Sequence, residues 1–361
     1  MSINEIIVYL MAAFMVLGAV DRIIGNRFGL GEKFEEGILA MGSLAMAMIG
    51  IICLAPVLAG VLKPVVVPLY QLLGADPAMF AGTILANDMG GASLAQELAF
   101  SPEAGKFGGL IVGAMMGATV VFTIPVGLGI IKAEDRPYLA TGVLAGVVTV
   151  PLGAFVGGVL AGFPVLFVVR NLLPILVVAL LVALGLWKIP NGMVKGFQVF
   201  GRAITILITI GLAAAILEAL TPLTLIPGMN PLEEGVSIVG DITIVLAGAF
   251  PLVFVITKVF RAPLLKLGRA LGMNDISAAG LVATLANAIP MFDLFHDMDR
   301  RGKVINVAFA VSAAFVFGDH LGFTAGFDPT MIFPLIVGKL VGGATAIAAA
   351  MLITRRWKEA T

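Results

Sequence analysis

The sequence predicts an all-α integral membrane protein with about nine transmembrane helices and two re-entrant broken helices, arranged as an inverted internal repeat. Three observations lead to this fold class. The 361 residues are 60% hydrophobic and only 12% charged, which leaves too little polar surface for a water-soluble globule. The apolar runs continue for roughly 20 residues, the length of a membrane-spanning helix. Two polar interruptions, roughly 200 residues apart, mark two similar halves.

Nine apolar runs are long enough to cross a bilayer. The first has no basic region before it, so we expect a retained span and not a signal peptide. The predicted spans are Ile3–Ile24, Gly37–Leu62, Phe107–Ile131, Tyr138–Ala161, Val165–Leu186, Gly196–Leu220, Val236–Val259, Val304–Leu321 and Thr330–Thr354.

Short motifs of the first half recur in the second half, in the same order and at a nearly constant offset. Leu85-Ala86-Asn87 returns as Leu285-Ala286-Asn287, and Gly105-Lys106 returns as Gly302-Lys303. We therefore predict a first repeat over residues 1–162, a linker transmembrane helix over 163–190 and a second repeat over 191–361. The unpaired linker span makes the two repeats inverted.

Lysine and arginine predict the orientation, because cytoplasmic loops carry an excess of positive charge. If both interrupted regions enter and leave the membrane on one face, 18 of the 22 basic residues fall on the cytoplasmic side. That set includes Arg356 and Lys358 at the carboxyl end. Of the remaining basic residues, we expect Arg170 and Lys339 to extend from their spans towards the membrane surface.

The first polar interruption contains Asn87 and Asp88, beside the Gly90-Gly91 pair. A carboxylate and an amide at this depth predict substrate contact, because an aspartate at the membrane centre costs about 2.5–3.5 kcal/mol without a good partner. The alternative is that both residues cap the half-helix that follows. Asn287 is the counterpart of Asn87 in the second repeat and offers an amide without the charge.

Three further polar residues of the second half are candidates for the same site. Asp293 lies deep in the second interruption, and Asp319 and His320 end the eighth predicted span. An Asp-His pair there could bind a cation or pass a proton, or it could be a solvated loop with an oriented histidine. For the neighbouring Glu97 and Asp297 a solvated surface is the better interpretation.

Several function classes have no support in the sequence. It contains no Walker loop, His-Glu-x-x-His site, Gly-x-Ser-x-Gly elbow or dinucleotide fingerprint. Its one cysteine, Cys53, excludes a thiolate metal cluster, and no basic-aromatic pattern indicates nucleic acid. We therefore expect no metal, no cofactor and no enzyme activity.

Broken helices in inverted repeats are typical of secondary transporters, whose substrate sites lie near the bilayer midplane. The sequence therefore favours a carrier that works by alternating access. Intramembrane acids outnumber intramembrane bases, which favours a cationic substrate.

Two motifs carry a family resemblance: Ile84-Leu85-Ala86-Asn87-Asp88-Met89-Gly90-Gly91 and Phe317-Gly318-Asp319-His320-Leu321-Gly322-Phe323. Through them the whole chain resembles the ethanolamine permeases of bacterial ethanolamine-utilisation operons. The resemblance implies import of ethanolamine across the bacterial cytoplasmic membrane. Protonated ethanolamine needs a carboxylate or an aromatic face for its ammonium group and an amide or hydroxyl for its alcohol, which Asp88, Asn87 and Asn287 can supply.

Two alternatives stay open at this stage. One is a sodium- or proton-coupled carrier of a small organic anion, bound at glycine-rich helix amino termini. The other is an intramembrane enzyme with Asp88 and either Asp293 or Asp319 as its acid pair. Besides membrane lipids, the expected partner is a second copy of the chain, since a moving domain needs a fixed scaffold.

Overall fold

The computed structural model describes residues 1–355, so Arg356 and Lys358 of the charge analysis lie outside the described residues. The described chain is 84% helical and has no strand. Eight of its helices are long and apolar enough to cross a membrane, which confirms the predicted class of all-α integral membrane protein. These spans are α1 (Ile3–Ile23), α2 (Leu30–Leu72), α5 (Pro102–Ile130), α6 (Ala133–Leu160), α7 (Val165–Lys188), α8 (Pro190–Leu220), α9 (Leu232–Ala270) and α14 (Pro329–Thr354).

The predicted eighth span, Val304–Leu321, is wrong as a continuous helix. The chain forms α12 (Arg300–Ala313), leaves the helical conformation and resumes as α13 (Asp319–Phe327). Phe315 in the gap has a φ of 62°, a left-handed conformation that a right-handed helix cannot contain. The prediction failed because the gap residues are apolar and give no hydropathy signal.

Two predicted spans are too short at their carboxyl ends. The helix predicted at Gly37–Leu62 continues to Leu72, and the one predicted at Val236–Val259 continues to Ala270. Both run through internal prolines, which transmembrane helices tolerate because neighbouring groups satisfy the freed carbonyls. The 43 residues of α2 reach about 65 Å at 1.5 Å per residue.

The two polar interruptions are broken helices. The first comprises α3 (Ala78–Ile84), a turn over Asn87–Met89 and α4 (Gly91–Leu98). The second comprises α10 (Asp275–Ala286), α11 (Ile289–Asp293) and a turn over Phe295–Asp297.

Hydrogen bonds join the two ends of each broken segment. The carboxylate of Asp76 accepts from the backbone N–H of both Ala78 and Phe100, at 2.9 and 3.0 Å. In the second segment the side-chain amide of Asn274 donates to the carbonyl of Asp297 at 3.1 Å. Each segment thus begins and ends at one place, as a re-entrant hairpin does. The re-entrant path through the bilayer and the inverted repeat with its three domain limits stay predictions.

The helices pack as two groups. Helices α2 and α9 contact each other, and both also contact α1 and α8, whereas α5, α6, α12 and α14 contact one another. The broken segments lie between the groups: α4 contacts α2 and α5, and α10 contacts α9 and α12. Close backbone approach holds the second group together: a Cβ on Gly153 of α6 would lie 2.7 Å from the carbonyl oxygen of Gly338 on α14. Small residues at such crossings are how membrane helices pack tightly.

Candidate functional site

Three breaks in the backbone meet at one point between the helix groups. The gap between α12 and α13 pairs with the end of α10, because the N–H groups of Phe315 and Phe317 donate to the carbonyls of Thr284 and Leu285, at 3.1 and 2.9 Å. The turn over Asn87–Met89 packs against α13. Irregular backbone at membrane depth is tolerated where protein buries it or where it lines a cavity.

Gly90 fixes the first of these breaks. Its φ of 84° is left-handed, which glycine adopts without a steric penalty. A Cβ at this position would also lie 2.1 Å from Cγ2 of Ile51 on α2. The residue must therefore be glycine for two independent reasons, and it holds the turn that carries Asp88 against α2.

A cavity of about 240 Å³ opens where the breaks meet; we call it the acidic cavity. Asp88 comes from the first broken segment, and Asp319 and His320 come from the first turn of α13. Phe122 and Phe315 form an aromatic wall, with ring centroids 5.1 Å apart in a T-shaped pair. The full lining is Ser43, Leu44, Ala47, Ala86, Asp88, Met89, Phe122, Phe315, Asp319 and His320.

The electrostatic character of the acidic cavity is negative. Asp88 interacts electrostatically with Asp319 and, with the opposite sign, with Lys339. Lys339 lies outside the lining, and the lining residues in the described chain include no lysine or arginine, so the two carboxylates outnumber the one nearby cation. The side chain of Asp88 is 16% exposed. Two carboxylates in a partly desolvated space attract a cation strongly, because screening by water is weak there.

Lys339 lies next to His320, behind the lining of the acidic cavity. The sequence-based prediction for this residue was wrong. It does not extend towards the membrane surface: it is only 1% exposed and donates to the carbonyl of Ala114. Its Nζ is also 3.0 Å from Nδ1 of His320. The sequence did contain a signal for this burial: Lys339 lies near the middle of a long span, where a lysine side chain is too far from either membrane surface to reach it.

Lys339 also determines the orientation of His320. A lysine only donates hydrogen bonds, so we assign Nδ1 of His320 as the acceptor and place the ring proton on Nε2. That nitrogen faces Asp88, 3.8 Å from Oδ1, which is longer than a hydrogen bond. A small polar molecule can therefore accept from Nε2 of His320 while it donates to Asp88.

The other predicted site residues are less well placed. Asn87 is fully buried, and neither atom of its amide has a hydrogen-bond partner; it lies beside the acidic cavity and not on its wall. Asn287 lines a second cavity that also contains Asp319, and its amide oxygen accepts a hydrogen bond from the N–H of Ile289 at 2.8 Å. Asp293 is exposed and lines neither cavity, so the structure does not bring it to the others.

Two ion pairs that the sequence did not reveal connect the halves of the chain. Lys303 donates to Asp135 at 2.5 Å, and His296 lies 3.1 Å from the other oxygen of that carboxylate. Lys106 contacts Asp328 at 2.7 Å.

Burial opposes ionisation of Asp328, but the hydrogen bonds from Lys106 and Thr330 outweigh it and lower the pKa of this carboxyl.

Glu134, Asp135 and His296 are the three residues in the described chain whose ligand atoms lie close enough to hold a metal ion. The ammonium group of Lys303 already neutralises Asp135. We therefore assign these residues to an ion-pair cluster and not to a metal site.

Comparison with known proteins decides the family. The family model described as "Ethanolamine utilisation protein, EutH" matches residues 3–353. The chain belongs to this family. No solved structure matches the chain significantly.

Curated members of the family align over nearly their whole length. A protein of Listeria monocytogenes named "Probable ethanolamine permease EutH" is 65% identical over 99% of this chain and 95% of its own length. Proteins of the same name from Escherichia coli and Salmonella typhimurium are 51% and 52% identical, over 98% of this chain and 96% of theirs. These names describe permeases and not enzymes, and with the eight apolar helices they identify a multi-pass bacterial membrane protein.

Proposed function

We propose that this protein imports ethanolamine across the bacterial cytoplasmic membrane and binds it in the acidic cavity. The observation that carries the proposal is the pair of carboxylates, Asp88 and Asp319, on the wall of a small cavity where three broken backbones meet. Secondary transporters bind polar substrates at such breaks. The relatives named as ethanolamine permeases supply the identity of the substrate.

The cavity offers a partner to each group of protonated ethanolamine. Asp88 accepts hydrogen bonds from the ammonium group, and the ring faces of Phe122 and Phe315 add cation–π attraction. Nε2 of His320 donates to the hydroxyl oxygen, in the tautomer that Lys339 holds. Asp319 adds the second negative charge. Asn87 stays a predicted contact, which reaches the substrate only if its buried amide turns towards the cavity.

The two helix groups suggest how the cavity changes sides. The acidic cavity lies between Ser43, Leu44 and Ala47 on α2 of the first group and Phe122 on α5 of the second. Movement of the second group along α1, α2, α8 and α9 would expose the cavity to each side in turn, which is alternating access. Pairing of two copies would fix the first group in the membrane, and the homodimer stays a prediction.

The organic-anion alternative finds less support. A carboxylate substrate would lie against Asp88 and Asp319, and like charges in a partly buried space repel strongly. The cation nearest to the cavity, Lys339, is engaged with Ala114 and His320.

Uptake of labelled ethanolamine by proteoliposomes tests the proposal. In Asp88→Asn we expect saturable uptake to be lost, since a hydrogen bond to a charged group contributes about 1.5–3 kcal/mol, which is about 10- to 100-fold in affinity. Asp293→Asn is the matched control, because Asp293 is exposed and outside the cavity, and it should transport normally. Undiminished uptake by correctly inserted Asp88→Asn protein would contradict the assignment of the acidic cavity as the binding site.

A further inference from the structure

A second cavity adjoins the acidic cavity and shares Asp319 with it. Its volume is about 350 Å³. Asn287 and Gly318 come from the broken backbones, and the remaining lining comes mainly from α2 and α9. The full lining is Lys33, Glu36, Phe250, Val253, Phe254, Thr257, Ala286, Asn287, Phe317, Gly318 and Asp319.

One face of α2 runs past both cavities. Lys33 and Glu36 line the second cavity, and Ser43 and Ala47 line the acidic cavity. Spacings of three, seven and four residues place all four side chains on the same face of a helix. From Lys33 to Ala47 the axis advances about 21 Å at 1.5 Å per residue. The two cavities are therefore successive positions along a single path.

The position of Lys33 indicates the side on which this path ends. Lys33 lies in the first turn of α2, close to the loop that follows Arg22 and contains Arg27. Excess positive charge assigns that loop to the cytoplasm. The second cavity thus lies between the acidic cavity and the cytoplasmic surface.

The lining of the second cavity fits a small organic cation. Nζ of Lys33 donates to both carboxylate oxygens of Glu36, at 2.6 and 2.8 Å. The lysine ammonium is a primary ammonium like that of the ligand, so this carboxylate is placed to bind such a group. The rings of Phe250, Phe254 and Phe317 supply apolar faces of the kind that attract cations. Lys258 already lies over the Phe254 ring, 5.7 Å from its centroid.

The cavity also provides for a hydroxyl group. The amide oxygen of Asn287 is taken by the N–H of Ile289, so its amide nitrogen is the group that can donate to a ligand. The hydroxyl of Thr257 accepts hydrogen bonds while it donates to the carbonyl of Val253 at 2.9 Å. A primary ammonium that carries a hydroxyl a short distance away matches this arrangement.

We propose that the second cavity is a second binding site for the transported hydroxyalkyl-ammonium, on the cytoplasmic side of Asp319. The inference rests on the proposed function, because the ligand is the same substrate. The ammonium group moves from Asp88 past Asp319, which lines both cavities, to Glu36, where it displaces Lys33. Since the two sites share one carboxylate, a single substrate occupies the pair at a time.

Protection of an introduced cysteine tests the second site. Thr257→Cys is treated with methanethiosulfonate-ethylammonium, and labelling is followed by mass spectrometry. The native Cys53 is fully buried, so the wild type gives the background. At ethanolamine of ten times its dissociation constant we expect labelling to slow by roughly tenfold. A control cysteine, Ala133→Cys at the exposed first residue of α6, should label at an unchanged rate.

The variants separate the two sites. Protection of Thr257→Cys should persist when Asp88→Asn is added and should weaken when Glu36→Gln is added. Loss of protection with a folded Asp88→Asn protein, or no protection in any background, would overturn the second site. If either of these two results is found while the wild type still takes up ethanolamine, the second site is refuted and the proposed function stands. A wild type without uptake would overturn the proposed function, and the second site with it.

A second measurement does not depend on the fold of Asp88→Asn. Full modification of Thr257→Cys with the ethylammonium reagent tethers a cation in the second cavity, so it should stop uptake. The uncharged methyl reagent adds a group without the ammonium, so uptake after its reaction should exceed uptake after reaction with the ethylammonium reagent. Equal uptake by the two modified proteins would overturn the inference.

Discussion

Replacing Gly90 with alanine tests whether the turn that carries Asp88 must be glycine. A non-glycine residue in the left-handed conformation costs about 1–2 kcal/mol. The added Cβ would lie 2.1 Å from Cγ2 and 2.4 Å from Cγ1 of Ile51, and such overpacking costs typically about 1–3 kcal/mol. We therefore expect Gly90→Ala to lose about 2–5 kcal/mol of stability and to weaken ethanolamine binding, because Asp88 is two residues away.

Two other glycines separate the contributions. Gly74 has a φ of 66° with nothing within 4 Å of a built Cβ, and Gly42 is a helical residue with equally open space. Gly74→Ala should therefore show only the backbone cost, and Gly42→Ala should be neutral or slightly stabilising, since alanine favours helix over glycine by about 0.5–1 kcal/mol. Thermal unfolding in detergent and ethanolamine binding check all three. A Gly90→Ala protein as stable as Gly74→Ala would refute the argument from Ile51.

Three further perturbations address the buried charges. Lys339→Met leaves Nδ1 of His320 without its donor, so we expect a loss of about 1–3 kcal/mol and weaker ethanolamine binding; an unchanged pH profile of binding would contradict the role of Lys339. Lys303→Met leaves the buried Asp135 carboxylate with His296 as its remaining partner and should cost up to about 3–5 kcal/mol. The double variant with Asp135→Asn should recover most of this loss; two single losses that simply add would contradict the pairing. The pKa of Asp328 is lowered, so its contribution is present above about pH 4 and is lost as pH falls through the folded pKa; the difference in Tm between wild type and Asp328→Asn should therefore shrink between pH 6 and pH 3.

The first polar break was predictable because its residues conflict with their surroundings. Asp88 and the Gly90-Gly91 pair lie within an apolar run. Placing a charge and two adjacent glycines inside a continuous transmembrane helix costs free energy, so a break in the helix is expected there. The repeat then located the second break at Asn287. The same reasoning failed at Phe315, since an apolar residue in a left-handed conformation gives no signal in the sequence; its conformation depends on hydrogen bonds to α10, which only tertiary structure provides.

The sequence could not predict the direction in which a side chain points or which distant residues pair. Asp293 and Asp319 are both acidic and both lie near a break, yet one is exposed and the other lines two cavities. The direction depends on how short helices rotate when they pack. Lys303 and Asp135 are 168 residues apart, so no local pattern could join them.

The most direct test of the central claim is an experimental structure of the protein in a lipid nanodisc with ethanolamine bound. The account predicts the amine nitrogen at about 2.7–2.9 Å from the carboxylate of Asp88, with the hydroxyl towards Nε2 of His320. Ethanolamine bound away from both Asp88 and Asp319 would contradict it.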